Sequence, residues 1–336
     1  MTARAAILPA GPDTVARAAR VLAAGGLVAL PTETVYGLAA RALDPTAVAR
    51  IFAAKERPAF DPLIVHLADS ADLPRVAQLP PDGDLRRRID LLTAPHDSGG
   101  LWPGPLTLVL PRHPEVPDIV TAGLDTVAVR VPAHPVFRAV LAALGEPLAA
   151  PSANPFGFVS PTTAAHVADQ LGDRVDLILD GGPCAVGLES TILDLRAPVP
   201  RVLRHGAVTL EQLRALLGEV TTGPAVLDRP EAPGQLARHY APGVPVALLP
   251  QHVGAPGGPV GAAWLLVLDG PAPAWATDYA RVIAPAQDGD LTRTAVALYG
   301  VLREAGAAGV ARLDVLACSE EGLGAALLDR VRRAAM

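Results

Sequence analysis

The stretch IFAAKERPAFDPLIVH, residues 51–66, changes character twice. It begins as the end of a helix opened by Asp44-Pro45, where proline suits the first helical position. It then crosses a cationic loop stiffened by Pro58 and Pro62 and leaves as the apolar strand PLIVHL. The same alternation spreads outward on both sides. Upstream, Asp13 is placed to cap a helix whose apolar stripe is Val15, Ala18, Ala19 and Leu22 and which Gly25-Gly26 ends, before the strand LVALP. Downstream, LTLVLP (106–111), TVAVRVP (126–132), DLILDG (176–181) and STILDL (190–195) read as strands rich in Val, Ile and Leu. Helical patterns at 134–145 and 162–172 separate them, and a capping-box-like TLEQ at 209–212 opens one more helix ending near Gly218. Strands alternating with helices place the chain in the α/β class.

Residues 219–243 break this rhythm: they are rich in Pro and Gly and lack periodicity. A connection of that length is usually functional or disordered. From Val244 a second alternation begins, with strand patterns at 244–250, 263–270, 280–285 and 313–318, a helix over 291–303 and a last helix over 322–335. The expected division is a first domain over 1–218, a linker over 219–243 and a small parallel-sheet domain over 244–336.

Composition narrows the classes. Of 336 residues, half are hydrophobic and only 4% aromatic, so the cores are built from Ala, Val and Leu. The apolar runs fall short of the roughly 20 residues of a membrane helix, and no signal-peptide pattern opens the sequence. Two distant cysteines, Cys184 and Cys318, give no metal spacing, which predicts a reduced cytoplasmic protein. A formal charge of −6 argues against broad binding to nucleic acid, while leaving a local basic groove open. Among 28 lysines and arginines there is one lysine, Lys55. That excludes the P-loop and the protein-kinase lysine, and no GxGxxG follows a strand.

Three polar loops sit at predicted strand ends. PTETVYG (31–37) sets the hydroxyls of Thr32, Thr34 and Tyr36 around Glu33. KERPAFDPL (55–63) holds Lys55 and Arg57 ahead of the strand that ends in His66. APSANPFGFVSPTTA (150–164) offers Ser152, Asn154, Ser160 and Thr162 before a helix N-terminus, a place suited to anions. Each also has an ordinary explanation: a turn with self-satisfied hydroxyls, a solvated helix C-terminus, or an N-cap. Arg130 inside TVAVRVP is harder to dismiss, because an arginine in an apolar strand is costly unless paired or facing a groove.

In order and wording, these stretches resemble the threonylcarbamoyl-AMP synthase family in its long, two-domain form. The motifs are GGLVALPTETVYGL, KERPAFDPLIVH, LWPGPLTLVL, GLDTVAVRVPAHP, APSAN, SPTTAAHV, DGGPCAVGLESTILDL, VLRHGAV, APGQLARHYAPG and EEGLGAALLDRVRRAA. The resemblance implies a YrdC-like domain, a twisted mixed sheet with a concave groove, linked to a small Rossmann-like domain. It implies synthesis of threonylcarbamoyl-AMP and pyrophosphate from L-threonine, bicarbonate and ATP with Mg²⁺, feeding a downstream tRNA threonylcarbamoyl-transfer complex. By position it assigns Thr32, His66, Arg130 and Ser190 to L-threonine. Lys55, Arg57, Thr126, Ser152, Asn154, Ser160, Arg204 and Tyr240 fall to ATP, with Lys55 and Arg57 catalytic. Arg238, His239 and Tyr240 become part of a lid over the groove.

Three positions depart from the family pattern. Gln235 replaces a usual Met, Asp61 stands where Asn is commoner, and residues 82–100 are expected to form a surface insertion. Two other readings compete: an RNA-binding module without adenylate-forming activity, and a carbamoyl-adenylate enzyme of hydrogenase maturation. The latter would need carbamoyl phosphate and additional zinc-type cysteines.

Overall fold

The computed structural model describes residues 4–223, 230–235, 239–251 and 260–336. By contacts the chain forms two compact units. The first comprises Met1–Phe156, Ser160–Ala185 and Glu189–Leu236; the second takes Gly157–Val159, Val186–Leu188 and Ala237–Met336.

The first unit opens with β1 (Ile7–Pro9), α1 (Pro12–Ala23), β2 (Val28–Leu30), β3 (Gly37–Arg41), α2 (Pro45–Lys55) and β4 (Ile64–His66). There follow α3 (Gly83–Thr93), β5 (Leu106–Pro111), α4 (Asp118–Thr121), β6 (Thr126–Arg130), α5 (Pro135–Leu144) and β7 (Leu148–Ala149). The unit closes with α6 (Ala164–Leu171), β8 (Leu177–Asp180), β9 (Thr191–Asp194), β10 (Arg201–Arg204), α7 (Leu210–Leu217) and β11 (Thr221–Thr222). Among the described residues the strands form one mixed sheet in the order β1-β8-β2-β3-β7-β4-β6-β5-β9-β10-β11. The second unit contains β12 (Val246–Leu249), β13 (Ala263–Val267), β14 (Arg281–Ile283), α8 (Leu291–Ala308), β15 (Arg312–Leu316) and α9 (Leu323–Ala334). Its four strands run parallel in the order β12-β15-β13-β14. The expected α/β class, with a large mixed sheet and a smaller parallel one, is what the chain forms.

Local signals act mostly as read. Asp44 Oδ1 accepts from the Thr46 and Ala47 amides ahead of α2. Thr209 and Gln212 close a reciprocal capping box on α7. Three expectations need correction. The N-cap of α1 is Gly11 rather than Asp13, because Thr14 Oγ1 takes the Gly11 amide at 2.9 Å and leaves Asp13 in the first turn. Helix α8 continues past Arg303 to Ala308. Gly306 does not stop it; a Cβ there would lie 2.1 Å from the Pro242 carbonyl, so the glycine permits close approach. The segment 82–100 is more than a surface insertion: α3 buries Ile89 and Leu92 in the main core and exposes only its other face.

Candidate active site

Strand alternation decides which side of the sheet carries chemistry. In β6, Val127 and Val129 point into the main helix-covered core. Thr126, Ala128 and Arg130 therefore share the opposite face. There Ala128 packs with Ile64, Val109, Ile192, Leu203 and Ala232. Ala232 belongs to the predicted linker, whose residues 230–235 lie against this face in the first unit. Gln235 is fully buried and pins that segment: its Oε1 accepts from the Glu231 and Ala232 amides, and its Nε2 donates to Leu203 O at 3.4 Å.

At the C-terminal end of β6, Arg130 faces His66 across the parallel β4–β6 ladder. Its Nε donates to Gly104 O at 3.0 Å and its Nη1 to Thr34 Oγ1 at 3.0 Å, while Nη2 lies 2.7 Å from Glu33 Oε1. Thr34 Oγ1 in turn is 2.7 Å from Thr32 Oγ1, which donates to Val35 O. The PTETVYG loop is therefore partly a self-bonded turn, and it is also the wall that holds Arg130. Burial, then the Arg130 charge, pushes the His66 pKa down to about 3, so its ring is neutral with Nδ1 3.2 Å from Ile64 O. For Glu33, burial alone would raise the pKa, but the adjacent guanidinium outweighs it and keeps the carboxylate ionised.

At the other end, Lys55 is the last residue of α2 and is 1% exposed. It is not a solvated helix-end cation: Nζ donates to Ser152 O at 2.5 Å and to Asn154 O, which ties KERPAF to APSAN. Burial, then repulsion from Arg57, drives the Lys55 pKa well below its ordinary value, against the attraction of Asp61. Arg57 holds Asp61 through an Nη2–Oδ2 contact of 2.9 Å and donates to the Asp61 and Pro62 carbonyls. Asp61 Oδ1 is buried without a hydrogen-bond partner. Thr126 opens β6 and is buried.

Further polar groups meet on the β9–β10 side. Arg204 Nη2 donates to Ser190 O at 2.9 Å and to Ser190 Oγ at 3.2 Å, and Nη1 reaches Pro233 O. Ser190 Oγ lies 2.7 Å from Thr107 Oγ1, and Ser160 Oγ donates to Glu189 Oε1 at 2.7 Å. Thus Arg204 and Ser190, assigned by the resemblance to different substrates, are hydrogen-bonded to each other.

A family model described as "Telomere recombination" covers residues 20–206, and one described as "Threonylcarbamoyl-AMP synthase, C-terminal domain" covers 208–336. A Bacillus subtilis threonylcarbamoyl-AMP synthase is 37% identical over 96% of this chain and 92% of its own length. The Pyrococcus abyssi synthase is 45% identical over 69% of this chain and 66% of its own length. The chain belongs to the threonylcarbamoyl-AMP synthase family. The solved structure of P. abyssi Sua5 complexed with L-threonine superposes with a TM-score of 0.85 at 35% identity, covering 98% of this chain and 96% of the other.

Two more of the expected site residues of this family member belong to the other unit. His239 and Tyr240 belong to the second unit, where Tyr240 stacks on Tyr299 at 5.4 Å, meets the His239 ring edge-on and lies under the Arg330 guanidinium. Tyr240 takes a left-handed φ of 64°, a strained conformation for an aromatic residue. Arg238 lies outside the described residues. Sequence reading passed over Thr107, Glu189 and Glu33 as site residues. Thr107 carries the signal that exposed Arg130, a polar side chain on one face of an apolar strand, while Glu33 and Glu189 adjoin assigned residues. His134 caps α5 by accepting the Val136 amide at 3.2 Å. Both cysteines are buried free thiols. Among the described residues no helix is long and apolar enough to cross a membrane.

Proposed function

We propose that this chain converts L-threonine, bicarbonate and ATP to threonylcarbamoyl-AMP and pyrophosphate, as a cytoplasmic enzyme supplying tRNA threonylcarbamoylation. The observation that carries the reading is the division of charge along β6. At one end Arg130 and Glu33 form a buried cation–anion pair suited to a zwitterionic amino acid; at the other Lys55 and Arg57 form a cationic pocket suited to a polyanion. Four residue steps of β-strand separate Thr126 from Arg130, about 13 Å, the scale of a nucleotide lying beside an amino acid.

The chemistry needs both ends. The threonine ammonium and bicarbonate combine to an N-carboxylate, releasing water and a proton. A carboxylate oxygen then attacks the α-phosphorus of ATP, the bond to the bridging oxygen breaks, and pyrophosphate leaves. An anion approaching a triphosphate needs fixed positive charge, which Lys55 and Arg57 supply without reorganising. With two of three ammonium protons given to the Ser152 and Asn154 carbonyls, Lys55 keeps one N–H for a phosphate oxygen. Arg204 donates to Ser190, the residue that the resemblance assigns to the amino acid. Burial of the face beneath residues 230–235 limits hydrolysis of the carbamate and its adenylate.

Among the described residues no group of three or more His, Cys, Asp or Glu is placed to hold a metal. In this reading Mg²⁺ would be carried by the triphosphate oxygens.

Pyrophosphate release from ATP tests the proposal: it must require both L-threonine and bicarbonate. Activity indifferent to threonine would refute it, and salt-dependent tRNA binding without such activity would favour the RNA-binding alternative.

A further inference from the structure

We propose that Asp61 is a direct ligand, through Oδ1, of the divalent cation that accompanies the triphosphate, and that it makes the pocket selective for metal-bound ATP over the free tetra-anion. This rests on the nucleotide reading of Lys55 and Arg57 above and adds the group that senses the metal.

The local chain fixes this carboxylate and leaves one oxygen over. Asp61 is 1% exposed and stands in a turn between Pro58 and Pro62. Its amide donates to Pro58 O at 3.2 Å, and its carbonyl accepts from Arg57 Nε at 3.1 Å. Of the side-chain oxygens, Oδ2 meets Arg57 Nη2 at 2.9 Å, while Oδ1 is buried without a hydrogen-bond partner. Such an atom carries its desolvation cost uncompensated, and a ligand is one explanation for it. The neighbouring cations do not close the gap. Arg57 turns Nε and Nη2 to the Asp61 and Pro62 carbonyls instead of laying its fork across both carboxylate oxygens. Lys55 Nζ is directed to the Ser152 and Asn154 carbonyls.

The charges lead to the same place. Burial raises the Asp61 pKa, and the Arg57, Lys55 and Arg204 charges oppose that rise, so the carboxylate lies among the cations assigned to the phosphates. There it repels a bare triphosphate and cancels part of the positive charge. It becomes an asset once a divalent cation stands between it and the phosphates. Mg²⁺ takes oxygen ligands and is commonly held by one or two carboxylates together with substrate phosphates and water, so a single free oxygen is enough. The other acids of the site are engaged: Glu33 pairs with Arg130, and Glu189 accepts from Ser160.

The test is equilibrium dialysis of ATP against the full chain without threonine, in excess EDTA or in saturating Mg²⁺. Mg²⁺ should tighten ATP binding to the wild type. Asp61→Asn keeps the shape and removes the charge, so it should bind metal-free ATP more tightly and Mg-ATP more weakly. The gain that Mg²⁺ brings should shrink by about 10- to 100-fold, the usual range of coupling between two ligands. Mg-ATP binding that is unchanged or tighter in the variant would show that Asp61 only repels phosphate. An equal gain from Mg²⁺ in both proteins would show that it does not meet the metal; either result overturns the proposal. If Asp61→Asn does not fold, Asp61→Cys carries the test. A thiolate favours Cd²⁺ over Mg²⁺, so the ratio of ATP affinity in Cd²⁺ to that in Mg²⁺ must rise above the wild-type ratio, and an equal ratio refutes the ligand. A wild type that binds ATP equally well in EDTA and in Mg²⁺ would overturn the metal ligand and leave the nucleotide pocket standing. One that binds no ATP in either condition would refute the nucleotide reading itself, and the ligand with it.

Discussion

Lys55→Arg keeps the charge and asks whether geometry matters. The Lys55 ammonium sits in a slot 1% exposed, with Nζ held between the carbonyls of Ser152 and Asn154. A guanidinium is longer, planar and forked, and cannot place one nitrogen between two converging carbonyls and another toward a phosphate. Two effects follow. Forcing added atoms into a packed site costs about 1–3 kcal/mol of stability. Displacing a charge-stabilising group by about 1 Å costs on the order of 100-fold in rate. The measurements are urea unfolding and threonine-dependent pyrophosphate release at saturating Mg-ATP. The expected variant is folded, modestly destabilised and about 100-fold slower. Turnover within about threefold of the parent, under 1 kcal/mol of barrier, would refute the claim that a compact ammonium is needed here.

Other outcomes follow from single contacts. His66 is held to a pKa of about 3 against 6.5 unfolded, so the unfolded chain binds more protons between those values. Its contribution to stability is full above pH 6.5 and is lost as pH falls toward 3, and His66→Asn should flatten the dependence of the urea midpoint over pH 7.5 to 4.5 (range of order set by the His pKa). Gly306→Ala, which in an exposed helix would gain about 1 kcal/mol, should instead destabilise, since its Cβ would meet Pro242 O at 2.1 Å; a raised melting temperature would contradict the contact. Asp61→Asn removes an unpartnered negative oxygen beside Lys55 and Arg57. Magnesium-free ATP should then bind more tightly by about 1 kcal/mol, the scale of a partly screened charge pair, and unchanged or weaker binding in equilibrium dialysis would refute this.

Much of the fold was legible because local chemistry and global topology agree. Asp44-Pro45 starts α2, Thr209 and Gln212 start α7, and the apolar runs at 106–111 and 126–132 became β5 and β6 within a residue or two. The misreadings share a cause. Asp13 as a cap and a helix ending at Arg303 rest on local propensity, and a surface segment at 82–100 on its length beside the family pattern, whereas a threonine cap, a carbonyl packed against α8 and a core-facing stripe decided them. These outcomes depend on neighbours distant in sequence or on competition between adjacent caps.

The site divides in the same way. The lone lysine, the arginine stranded in TVAVRVP and the hydroxyl-rich PTETVYG loop marked a charged, ordered pocket, since such residues are costly in those places unless they are used. Sequence also determined the class of fold, because hydrophobic period and turn chemistry act within a few residues, while the order and wording of its motifs carried the resemblance to the family. Only the tertiary structure decided that Lys55 meets the Ser152 and Asn154 carbonyls, that Arg130 faces Glu33, and that Arg204 meets Ser190. Those contacts join segments from separate strands and loops; strand pairing, not proximity along the chain, brings them within hydrogen-bond reach.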